Sequence, residues 1–165
     1  MENLSSTHIG YFRVVCVSSY SWDEVNSSLR SQGFVLYNLE SEGIVDKKSL
    51  LRNLVQSFEL VLPDNDPLTS WDAASDLLWQ VLMDGTANQV ALLWKDSQKM
   101  LESNLQLFLN AIEFFQGVAE TVERQENTTD THSVLFRIVA FGTDQRYPPW
   151  SRLLNEVGPK NFGNS

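Results

Sequence analysis

The sequence predicts an α/β fold: a small, mostly parallel β-sheet of three to four strands packed against helices. Two observations carry this. β-branched and aromatic runs of strand length alternate with amphipathic helical stretches, and such alternation implies crossovers that leave the strands parallel. One run, "VALLWKD" (90–96), is apolar almost without a break, the mark of a strand covered on both faces.

The elements follow in order. "YFRVVCVS" (11–18) is the first strand, rich in β-branched and aromatic residues. Ser21 then stands as N-cap of "WDEVNSSLRSQ", with Glu24 three residues on completing a capping box and Gly33 stopping the helix. "FVLYNLE" (34–40) repeats the strand signal. "VDKKSLLRNLVQSFEL" (45–60) carries Leu50, Leu51, Leu54, Val55 and Phe58 on one helical stripe. The Pro- and Asp-rich loop "VLPDNDPLTS" leads into "SWDAASDLLWQVLMD" (70–84), for which Ser70 or Thr69 is a natural N-cap. After "DGTANQ" comes the buried strand 90–96, then the long helical stretch 97–125. The polar loop "ENTTDTH" precedes a last strand, "SVLFRIVAFG" (133–142). The tail opens on a Pro-Pro segment, with one short helix expected at 150–157 and disorder at the end. One domain over 1–142 with a C-terminal extension, 143–165, fits the length of 165 residues.

Composition narrows the function. An apolar fraction of 42% supports a packed core, and a net charge of -9 leaves too few Lys and Arg to neutralise phosphates, so direct nucleic-acid binding is not expected. An acidic chain prefers basic partners. The opening residues have neither a cationic nor a long apolar region, and no stretch reaches the roughly 20 apolar residues of a membrane span, so the expectation is a soluble, cytoplasmic protein. Cys16, the single cysteine, excludes an internal disulfide and reads as a buried strand thiol.

No phosphate-cradling glycine motif follows any strand, and GxSxG is absent. His8 and His132 lack partners at triad spacing and read as surface residues. Asn127-Thr128-Thr129 matches a glycosylation sequon and marks an exposed loop. No cofactor is expected.

The carboxylates are what remains. Between Arg52 and Lys95 stand Glu59, Asp64, Asp66, Asp72, Asp76 and Asp84, with no basic residue among them. In the helix 70–84, Ala74, Leu77, Leu78, Val81 and Leu82 form a core stripe, while Asp72, Asp76, Trp79 and Met83 fall on the opposite side. Two carboxylates four apart repel by roughly 0.2–0.5 kcal/mol. A solvated face would explain Asp72, which complements the helix dipole, but gives Asp76, Trp79 and Met83 no purpose. Paired aspartates could hold an oxygen-loving cation, yet two ligands are too few for a specific site. A protein interface, with aromatic and Met anchors inside a ring of steering charge, uses all four residues.

These residues resemble the barstar-like family of ribonuclease inhibitors. The resemblance runs over about 34–142 and rests on Leu62-Pro63, a loop, Trp71 at a large apolar position, Asp72-Ala73, and Asp76 with further leucines. The strand "VALLWKD", a long helix and the strand "LFRIVAFG" then follow in the family's order. It implies a small parallel sheet against helices, and a helix and preceding loop that plug a nuclease active site. Asp72 and Asp76 would then stand in for substrate phosphates, with Asp76 the main anchor and Trp71, Ser75, Trp79, Met83, Asp64 and Asp66 around them. The chain departs from the family in its loop, which lacks the usual aromatic and glycine residues, and in Ser75, where a larger contact residue is common. The family's further acid on the long helix has two candidates here, Glu113 and Glu120. The β-α unit at 11–33 is additional to the smallest members. The implied function is an inhibitor or immunity-type protein that binds a basic nuclease without turnover. The competing reading is a regulatory interaction domain that keeps the fold without a nuclease partner.

Overall fold

A computed structural model of the chain describes residues 13–60, 68–124 and 134–150. His8, Leu62-Pro63, Asp64, Asp66, the sequon, His132 and the expected helix beyond Trp150 lie outside the described residues. The architecture is α/β with an all-parallel sheet, in the spatial order β1-β4-β3-β2. The strands are β1 (Val14–Ser18), β2 (Val35–Leu39), β3 (Gln89–Trp94) and β4 (Leu135–Gly142). The helices are α1 (Trp22–Ser31), α2 (Lys47–Ser57), α3 (Trp71–Asp84), α4 (Gln98–Ser103) and α5 (Leu105–Arg124).

The central strands β3 and β4 are apolar and buried nearly end to end because helices cover both sides. Alternate residues face opposite ways. Val90, Leu92, Trp94, Phe136, Ile138 and Ala140 pack with α2, α3 and α5 in the larger core. Ala91, Leu93, Val139 and Phe141 pack with Val25 and Leu29 of α1 and with Trp150 in the smaller one. Cys16 on β1 is half-buried against the larger core, and burial pushes its thiol up to about 11.

Local chemistry sets the helix ends. Asp46 caps α2: its Oδ1 accepts from Ser49 N at 2.9 Å, and Ser49 Oγ accepts from Asp46 N at 3.0 Å, a closed capping box. These hydrogen bonds hold the Asp46 carboxyl below its usual range. Ser70 caps α3, accepting from Ala73 N at 3.1 Å. Gly33 ends the first helical unit with φ +90, a conformation glycine adopts without strain.

Two expectations, the Ser21 cap and the single long helix, are corrected. Ser21 occupies the N-cap position of α1 but makes no side-chain cap; its Oγ instead accepts from Trp150 N at 3.0 Å. The stretch 97–125 is two helices, because Asn104 leaves helical geometry and its Oδ1 accepts from Leu107 N at 3.1 Å, starting α5 afresh. Residues 143–150 of the C-terminal extension belong to the fold. Ser18 N donates to Pro148 O at 2.8 Å, Tyr147 and Ser97 share a hydroxyl hydrogen bond of 2.7 Å, and Trp150 is buried in the smaller core. The β-α unit at the N-terminus is equally integral, since β1 is the edge strand beside β4.

Candidate functional site

Helix α3 presents the predicted site. Ala74, Leu78 and Leu82 are buried in the larger core, where each large apolar side chain contributes about 1.5–3 kcal/mol. That burial fixes the helix rotation. Asp72 and Asp76 are consequently exposed, and so is Trp79, a large apolar side chain at 38% relative exposure. Met83 departs from the sequence expectation: it is half-buried and packs against the larger core rather than standing on the wet face.

Beside α3 runs α5, and the two enclose a groove of about 460 Å³. Trp71, Asp72 and Ser75 form one wall, and Asn110, Glu113 and Phe114 contribute to the other. Trp71 is half-buried, its ring 5.0 Å from that of Phe114, so an aromatic pair holds the two helices together at this point. Gly117 lies in the groove lining, and a Cβ there would meet nothing within 4 Å. Trp79 follows Ser75 by one turn and Asp72 by two, which extends the aromatic character along α3 past the groove.

The carboxylates of α5 differ sharply in their engagements. Glu120 is paired with Arg124 one turn on. Glu123 is shared by two arginines, accepting from Arg13 Nε at 2.9 Å and lying 3.7 Å from Arg137 Nη2. Arg137 is almost fully buried; burial lowers its pKa, and the Glu123 carboxylate opposes that effect. Glu113, by contrast, is exposed on the groove and takes part in no ion pair with the described residues, and the same holds for Asp72 and Asp76. Of the two candidates on the long helix, Glu113 is therefore the one that joins Asp72 in a common groove. The i,i+4 spacing of Glu120 and Arg124 was a signal in the sequence, but which acid faces α3 depends on the packing of the two helices.

Among the described residues, no group of three or more His, Cys, Asp or Glu is placed to hold a metal ion, and no helix is long and apolar enough to cross a membrane.

No protein-family model matches the chain, and no curated protein matches it. Among solved structures, it is similar to a chain in a structure of Drosophila ORC bound to DNA, with a TM-score of 0.45 and 11% identity. The match covers 96% of this chain and 43% of that one, so this chain spans less than half the length of its structural neighbour. So distant a likeness says nothing of what this chain binds.

Proposed function

We propose that this chain is a barstar-like inhibitor or immunity-type protein, held in the cytoplasm, that binds a basic ribonuclease or related nuclease toxin and blocks its active site without turnover. The observation that carries the reading is the pair of unengaged carboxylates, Asp72 and Glu113, lining one groove beside the Trp71–Phe114 aromatic pair. Carboxylates with an aromatic surface between them suit a guanidinium, which hydrogen-bonds in its plane and stacks on rings. A nuclease that grips phosphates carries such cations in its active site. Asp76, exposed on the outer side of α3, extends the acidic surface beyond the groove, and Trp79 offers an apolar anchor next to it.

The reading is tested by coupling wild type and the Asp72→Ala, Asp76→Ala double mutant to separate columns and passing lysate and culture medium of the source organism over both at low salt. The expected result is a basic nuclease retained by wild type alone, inhibited by wild type and not by the mutant. Affinity should fall steeply with salt, since exposed charges are screened over about 10 Å at 0.1 M. Equal retention on both columns, with binding indifferent to salt and lost on Trp79→Ala, would instead support an apolar regulatory contact and overturn the carboxylate plug.

A further inference from the structure

A second crevice lies at the carboxyl ends of the strands, away from the acidic groove. Chain leaving β1 turns into α1 on one face of the sheet, and chain leaving β3 turns into α4 and α5 on the other. β4 sits between β1 and β3, so its carboxyl end lies at the point where the connections diverge, the place where open α/β sheets bind ligands. The crevice there measures about 270 Å³ and is lined by Ser19, Trp22, Lys95, Asp96 and Phe141.

Its chemistry is bipolar. Asp96 holds φ +51, a left-handed conformation that costs a non-glycine residue energy, and its carboxylate takes part in no ion pair with the described residues. Next to it, the Lys95 ammonium stands 4.9 Å from the centroid of the Trp22 ring and 3.3 Å from Glu40 Oε1. That ion pair is exposed, so exchanging Glu40 for another carboxylate costs little. Trp22 meets the buried Phe141 edge to face with ring centroids 4.7 Å apart, which fixes the part-exposed Trp22 ring as the aromatic side of the crevice.

From these features we propose that the crevice binds a free α-amino acid with an apolar side chain: the ligand ammonium against Asp96, its carboxylate against Lys95, and its side chain on Trp22. This site is independent of the nuclease-inhibitor reading and stands or falls without it.

The test is an NMR titration of the full chain with L-leucine and L-phenylalanine, followed at the indole N–H of Trp22. Asp96→Asn, which tolerates the left-handed backbone, and Lys95→Met serve as variants, with circular dichroism confirming that each is folded. Leucine amide and 4-methylpentanoate remove one ligand charge each. The expected result is a saturable shift with at least one amino acid. It should weaken at least about tenfold in either variant and with either analogue, the loss of one charge-assisted contact. No saturable shift at millimolar ligand, or a shift unchanged in both variants, would overturn the proposal. Leucine amide binding as tightly as leucine would also overturn it, by making the site one for a peptide N-terminus.

Discussion

Replacing Ser41 by Ala strikes the joint that holds the α5 wall of the groove to the sheet. Ser41 Oγ accepts from the indole Nε1–H of Trp94 at 2.9 Å and donates to Lys95 O at 2.6 Å. Trp94 is fully buried, stacked on Phe108 with centroids 5.5 Å apart and edge-on to Phe115 at 6.0 Å. The substitution strands a buried donor. An unsatisfied buried N–H costs about 1–3 kcal/mol, and the lost donation to Lys95 O adds about 0.5–1.5 kcal/mol. The expected loss is about 2–4 kcal/mol, which at about 2–4 °C per kcal/mol lowers Tm by roughly 4–16 °C. Thermal unfolding by circular dichroism measures it. The Trp94→Phe background supplies the control: once the indole N–H is gone, Ser41→Ala should cost much less, and the difference is the coupling between the two side chains. A Ser41→Ala protein within about 0.5 kcal/mol of wild type, or a cycle with no coupling, would refute the reasoning.

Other outcomes follow from the same geometry. In Gly142→Ala the new Cβ would lie 2.6 Å from the Tyr147 ring, so the ring must move and stability should fall by about 1–3 kcal/mol, read by denaturant unfolding and near-ultraviolet circular dichroism. Leu78→Ala should cost about 2–5 kcal/mol in the same unfolding assay, because the side chain is 2% exposed at the centre of the α3 stripe. Cys16 gives a pH dependence. Its thiol binds its proton more tightly in the folded state, about 11 against 9.0, so stability is flat with respect to this group below pH 9 and falls as pH rises from 9 to 11. Cys16→Ala should remove that share of the alkaline loss in unfolding measured across pH. Glu113→Gln should leave stability within about 0.5 kcal/mol of wild type while weakening binding of the proposed nuclease; unchanged affinity would exclude Glu113 from the interface.

Much of the fold was legible because the signals were local. Leu50, Leu51, Leu54, Val55 and Phe58 recur at helical spacing and all prove buried, and the apolar run at 90–94 is a central strand. The break at Asn104 was hidden because the apolar pattern of "MLESNLQLFL" continues through it, and only the capping bond to Leu107 N shows where one helix stops. Ser21 and Glu24 carry a capping signature that distant chain overrides, since Trp150 N takes the hydroxyl from the far end of the sequence. At the site, the exposure of Asp72, Asp76 and Trp79 followed from helical phase alone. The Glu120–Arg124 pair at i,i+4 was readable from helical spacing, but placing Glu113 in the groove required the packing of α3 against α5, which periodicity does not encode. Met83 leaned into the core because a long flexible side chain near the edge of a stripe reaches whichever apolar surface is nearest.

The pairing of β1 with β4 has a consequence for biosynthesis. Val14 finds its partner Ile138 only after the residues between them have left the ribosome, whereas β2 can meet β3 much earlier. The "VVCV" segment therefore waits, apolar and without a neighbour, while synthesis proceeds at about 5–20 residues per second. Closing so long a loop is slow compared with local helix formation. The nascent chain thus carries an unpaired apolar segment for as long as the residues between β1 and β4 take to be made, and its yield in the cell should depend on holding chaperones more than its final stability would suggest.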